Sequence, residues 1–137
     1  MENIEILLVD DEKDFISTLS ERLSLRGYEV STAFDGEEAL QFLGVNKVDI
    51  IVLDLKMPGM DGMEVLRKIR EDDQKVRVII QTGHGTDKEE DEIGQLGVSA
   101  FLRKPVDIEV LIGSLQDAAE SLQNDVEEDR RNSDGNT

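Results

Sequence analysis

Ile50-Ile51-Val52-Leu53 is an unbroken run of four apolar residues, mostly β-branched, and it ends on Asp54. Such a run predicts a strand buried on both faces, as the middle of a parallel sheet requires. Lys56, Pro58 and Gly59 cannot extend a central strand, so the chain is expected to turn after Asp54 and leave that carboxylate at the strand's carboxyl end. The same layout recurs along the chain. Ile4 to Val9 is apolar apart from Glu5 and runs into Asp10-Asp11-Glu12. Tyr28 to Ala33 alternates as an outer strand, Val76 to Gln81 delivers Thr82, and Val98 to Leu102 is a short strand closed by Lys104-Pro105.

Between these strands the apolar period becomes helical. Phe15, Ile16, Leu19 and Leu23 form a stripe from Lys13 to Arg26 that Leu25 could extend, with Gly27 as the stop. Asp35 caps a helix that carries Ala39, Leu40, Phe42 and Leu43 inward and ends at Gly44. Met63, Val65, Leu66 and Ile69 mark a third helix from Asp61 or Gly62 to about Arg70. Asp107 caps the last helix, with Ile108, Val110, Leu111, Leu115, Ala118, Ala119 and Leu122 as its inner residues. A fourth helix over Asp87 to Leu96 is anomalous: Asp87-Lys88-Glu89-Glu90-Asp91-Glu92 contains no apolar residue, and Gly94 follows. It is expected to be marginally stable and mobile, and to offer its negative charge to a basic partner.

Five strand-helix pairs in alternation predict an α/β fold, a doubly wound (βα)5 parallel sheet. Right-handed crossovers leave few topologies, of which the flavodoxin-like strand order 2-1-3-4-5 is expected. Residues 1–122 would form this domain. Residues 123–137 contain one apolar residue, Val126, and read as a disordered acidic tail or linker.

Composition narrows the function classes. The 137 residues hold no cysteine and one histidine, which excludes disulfides, thiol nucleophiles and multi-histidine metal sites. A formal charge of −17 argues against binding nucleic acid or an anionic membrane through a basic surface. Without a signal peptide or an apolar span of about 18 residues, a cytoplasmic location is expected.

In the expected topology the first and third strands are neighbours, so Asp10, Asp11 and Asp54 converge on one pocket. Three carboxylates at close range repel unless a cation lies among them, and oxygen-only ligands on an open rim suit Mg²⁺. The fourth and fifth strands bring Thr82 and Lys104 to the same edge. A carboxylate nucleophile, a hydroxyl, an ammonium and a divalent cation are what phosphoryl transfer to a carboxylate needs. No Gly-rich phosphate loop is present, so the donor should be another protein or a small phosphodonor.

Asp10-Asp11, Asp54 with Met57-Pro58-Gly59-Met60-Asp61-Gly62, Thr82-Gly83-His84-Gly85 and Lys104-Pro105 together resemble the receiver domain of bacterial two-component response regulators, over about residues 4 to 122. The resemblance implies that Asp54 accepts phosphate from the phosphohistidine of a sensor histidine kinase or phosphotransfer protein. It also implies that Asp11, Asp54 and the Lys56 carbonyl bind Mg²⁺ directly, with Asp10 acting through water, and that Lys104 pairs with the phosphoryl group. Thr82 and Phe101 match the family's switch pair, which would pass the signal to the surface of the fourth helix, fifth strand and fifth helix and so to a downstream protein. Phe101 reads equally well as a plain core aromatic. A cis bond before Pro105 is implied too. His84 is read as a loop residue that flanks the site and tunes dephosphorylation.

The protein would thus be a signalling switch that catalyses only its own phosphorylation and dephosphorylation, free-standing or part of a longer regulator, with a homodimer possible through the switch surface. Three alternatives stay open. An aspartate-nucleophile phosphatase of the haloacid-dehalogenase type would need a second Asp where Lys56 stands. A flavodoxin-like cofactor module would need aromatic residues to sandwich an isoalloxazine ring and a hydroxyl-rich phosphate loop, against an aromatic content of 4%. A degenerate receiver would serve only as a docking surface.

Overall fold

The computed structural model describes residues 3–83 and 86–134. In chain order the elements are β1 (Glu5–Val9), α1 (Lys13–Leu25), β2 (Glu29–Ala33), α2 (Gly36–Val45), β3 (Ile50–Asp54), α3 (Gly62–Asp72), β4 (Arg77–Thr82), α4 (Asp87–Leu96), β5 (Ala100–Arg103) and α5 (Ile108–Asp134). The strands form one parallel sheet in the order β2-β1-β3-β4-β5, as the alternating pattern predicts. Every residue of β3 is buried, because helices cover both faces of the sheet's centre.

Period-two alternation sorts the strand side chains into two cores. Leu7, Val9, Ile51, Leu53, Val78 and Ile80 pack with Ala39 of α2, Met63, Val65, Leu66 and Ile69 of α3, and Ile93 of α4. Ile6, Leu8, Ile50, Val52 and Ile79 face the other way, onto Ile16, Leu19 and Leu23 of α1 and Leu111, Ile112 and Leu115 of α5. Burying each Leu, Ile or Val contributes about 1.5–3 kcal/mol, so the two cores dominate stability.

Several boundaries differ from the sequence reading. Gly44 lies inside α2, which ends one residue later because the Asn46 side chain donates to the Phe42 carbonyl at 3.0 Å and caps the helix itself. Val110 is 54% exposed while Ile112 is buried, since the stripe 108, 111, 112, 115 leaves position 110 on the outer face. β5 begins at Ala100 rather than Val98, because Gly97 turns the chain at positive φ and Ser99 then makes the first bond to β4, donating to the Val78 carbonyl.

The largest difference concerns the segment read as a disordered tail from residue 123. There α5 continues without a break to Asp134. No Gly or Pro interrupts residues 114–134, and the Arg77 side chain donates to Ser121 Oγ at 3.1 Å and pairs with Asp125, anchoring the helix beyond Leu122 to the start of β4. Residues 135–137 lie outside the described residues, as does the reading of His84.

α4 spans Asp87 to Leu96 as predicted, and its poverty in apolar residues is offset by polar contacts. Thr86 and Glu89 form a reciprocal capping box. Glu89 reaches Lys56 Nζ at 3.3 Å, Glu92 grips Arg67 with one bond at 2.8 Å, and Glu90 pairs with Arg103. Most of the acidic charge expected to face a partner is therefore already paired within the chain.

Both Glu89 and Glu92 are held below the ordinary glutamate value, Glu89 chiefly by the Thr86 backbone N–H and Glu92 by its bond from Arg67. A depressed carboxylate adds stability above its unfolded pKa and loses it as pH falls through the folded value. Acidification below about pH 4 should therefore accelerate amide exchange, corrected for intrinsic rates, in α4 more than in α1. Equal acceleration in both helices would show that these pairs do not hold α4.

Candidate functional site

The sheet's register builds the site. Leu8, Val52 and Ile79 lie side by side on neighbouring strands, buried against α1 and α5. Two residues further along each strand, on the same face, the row becomes Asp10, Asp54 and Gln81, with Asp54 and Gln81 direct partners. A polar layer thus caps the apolar one at the carboxyl ends of the three central strands. Asp10, Asp54, Gln81 and Thr82 are the buried polar or charged residues of the described chain.

Lys104 joins the strands. Its ammonium lies 2.9 Å from Asp54 Oδ2, 3.1 Å from Glu12 Oε1 and 3.2 Å from Asp10 Oδ2. The peptide between Lys104 and Pro105 is cis, and the Lys104 N–H donates to the Thr82 carbonyl at 2.9 Å. The other oxygens of the two buried acids are fixed by backbone: Asp10 Oδ1 accepts from Glu12 N at 2.9 Å, and Asp54 Oδ1 from Lys56 N at 3.0 Å. Both bonds span two residues, as when an Asp side chain closes its own turn.

Electrostatics follow from burial. Desolvation raises the Asp10 pKa, Asp54 adds repulsion, and the Glu12 N–H and Lys104 oppose the rise. Desolvation also disfavours the Lys104 ammonium, but bonds to Asp54 and Glu12 and the attraction of Asp10 and Asp54 outweigh it, so its pKa is raised. Lys104 is therefore fully charged at neutral pH.

Asp10, Asp11 and Asp54 each present a carboxylate oxygen, and these oxygens all lie within 4.8 Å of one another. Among the described residues, the Lys104 ammonium pairs with Asp10, Glu12 and Asp54, while Asp11 adds a fourth carboxylate to the cluster. This donor set consists of oxygens with an excess of negative charge, which fits a hard divalent cation such as Mg²⁺.

The structure thus brings together Asp10, Asp11, Asp54 and Lys104, with Thr82 buried at the adjoining end of β4. The Lys56 side chain points to Glu89 on α4 instead of into the acid cluster. Phe101 lies partly buried on β5 against the core under α3 and α4, with the Arg103 guanidinium 5.6 Å from its ring centre. Sequence reasoning missed Glu12 and Gln81 as members of the site. The signal for Gln81 was an amide closing the apolar run Val78-Ile79-Ile80.

Residues 6–116 match the family described as the response regulator receiver domain. The chain is 41% identical over 115 residues to the transcriptional regulatory protein GlrR of Escherichia coli, covering 84% of this chain and 26% of that one. It thus spans about a quarter of that relative's length. Over 109 residues it is 37% identical to sporulation initiation phosphotransferase F of Bacillus subtilis, covering 80% of this chain and 88% of the relative. A response regulator receiver domain protein from Methanospirillum hungatei, CheY-like, superposes with a TM-score of 0.86 at 24% identity, over 90% of this chain and 99% of the other. No described helix is long and apolar enough to cross a membrane. Sequence family, strand order and the layout of the strand ends agree, and the chain belongs to the response regulator receiver domains of two-component signalling.

Proposed function

We propose that Asp54 is the phosphoryl acceptor and that the donor is a phosphohistidine on a sensor kinase or phosphotransfer protein. The observation that carries this reading is the setting of the Asp54 carboxylate: one oxygen tied to the Lys56 N–H, the other 2.9 Å from the Lys104 ammonium, with Asp10 and Asp11 alongside. In the transfer, an Asp54 oxygen bonds to phosphorus as the phosphorus–nitrogen bond breaks, and the electron pair of that bond passes to the imidazole. Lys104 follows the charge from the carboxylate to a phosphoryl oxygen, where its attraction is stronger in the transition state than before it.

Asp11, Asp54 and the Lys56 carbonyl would hold Mg²⁺, with Asp10 acting through water. When bound, the ion supplies neutralisation of the phosphoryl oxygens against the surrounding acids. Thr82 would donate its hydroxyl to the phosphoryl group, and Phe101 would repack in response. That change would alter the surface of α4, β5 and α5, where Arg103 and Glu90 now join strand to helix. A relative named as a phosphotransferase supports the transfer chemistry. The kinase, the protein that reads the surface and any homodimer formed through it belong to the same proposal.

Incubation with acetyl phosphate and Mg²⁺ tests it. The expected product is an acyl phosphate seen as a mass increase and cleaved by hydroxylamine, with labelling reduced at least about tenfold by EDTA. EDTA-insensitive labelling would remove the metal from the mechanism. A folded chain that acetyl phosphate and phosphorylated kinases both leave unlabelled would be a docking-only receiver.

A further inference from the structure

β4 is apolar from Val78 to Ile80, and the next residue, Gln81, is equally buried. A carboxamide there brings donors and an acceptor into space that a Met or Leu side chain would fill with no hydrogen bonds to satisfy. Among the described residues its bonding is one-sided. Nε2 donates to Asp10 Oδ2 at 2.8 Å, whereas Oε1 is buried without a partner. An unsatisfied acceptor in the interior weakens the fold, so the amide's contribution lies at its donor end.

Among the described residues, Asp10 Oδ2 has two side-chain donors, Gln81 and Lys104. They are not equivalent. The Lys104 ammonium is shared with Asp54 and Glu12 at the end of a flexible stem, and a phosphoryl group on Asp54 would draw it away. The Gln81 amide is enclosed in the sheet beside Asp54 and has no other described partner to move to. We propose that Gln81 is a positioning residue for the cation site: its amide fixes the Asp10 carboxylate when Lys104 turns to the phosphoryl group. This rests on the reading of Asp54 as acceptor and of the acid cluster as a Mg²⁺ site.

The test is a double-mutant cycle read by calorimetric Mg²⁺ titration of the unphosphorylated chain, with urea unfolding of each variant. Gln81→Met fills a similar volume and donates nothing. It should weaken Mg²⁺ binding a few-fold by itself and about tenfold in a Lys104→Ala background, where Gln81 is the remaining described side-chain donor on Asp10 Oδ2. Its urea midpoint should be unchanged or higher, because the orphaned acceptor is gone. Mg²⁺ affinity within twofold of the parent in both backgrounds would reduce Gln81 to a core filler and overturn the proposal. Gln81→Leu repeats the measurement should the Met variant fail to fold. If the parent chain binds no Mg²⁺, the cation-site reading falls and this proposal with it. If the parent binds and both variants match it, only the role of Gln81 falls.

Discussion

Asp54→Asn is expected to take up no phosphoryl group from acetyl phosphate or from a phosphorylated kinase, a loss of at least about a thousandfold of the kind that deleting a nucleophile produces. The amide keeps the shape of the carboxylate and an oxygen for the Lys56 N–H, so the β3–α3 turn should persist. What disappears is the charged oxygen that would attack phosphorus. The variant also relieves repulsion on Asp10, since the Asp54 charge is one of the causes that raise the Asp10 pKa. Its urea midpoint should consequently stay close to the parent's, and the loss of labelling can be assigned to chemistry. Intact-mass measurement of both chains after the same incubation decides the matter. Undiminished labelling would move the acceptor to Asp10 or Asp11.

Gly62→Ala should be the most damaging single substitution to the fold near the site. A Cβ at Gly62 would lie 2.4 Å from Leu55 Cα, 2.7 Å from the Asp54 carbonyl oxygen and 2.8 Å from the Leu55 carbonyl oxygen. All three are backbone atoms, so no rotamer change relieves the clash. The Gly62 N–H also donates to the Leu55 carbonyl at 3.1 Å, a bond that displacement would break. Overpacking of this kind costs about 3 kcal/mol, at the upper end of the usual range, and should lower the melting temperature by roughly 10 °C. Phosphoryl uptake should fall too, because the strained atoms belong to Asp54 and its neighbour. Gly94 in α4 is the control: nothing lies within 4 Å of its Cβ position, so Gly94→Ala should stabilise by about 1 kcal/mol. Thermal unfolding of the two variants side by side checks both signs, and a Gly62→Ala chain as stable as the parent would contradict the clash.

The sheet and its order were legible because buried parallel strands need unbroken apolar runs, and each run here is followed by residues that cannot continue it. The acid cluster was legible for the same reason, since strand order places Asp10 beside Asp54. What escaped depended on contacts between elements distant in sequence. The length of α5 rests partly on Arg77 of β4, and the shielding of the α4 acids on Lys56, Arg67 and Arg103. None of these pairings leaves a periodic trace. Gln81 lay in between: its polarity was visible, but its direction required the register that pairs it with Asp54. α4 kept its predicted limits because a capping box is a local signal, Thr86 and Glu89 standing three residues apart.

The three-way grip of the Lys104 ammonium has one more consequence. Acids from two strands are gathered before any metal arrives, so the rim is assembled in advance by a tethered cation. On the proposed Mg²⁺ reading, a divalent ion would join that ammonium at a rim already assembled, and stripping the ion would disarm the receiver while leaving its architecture standing.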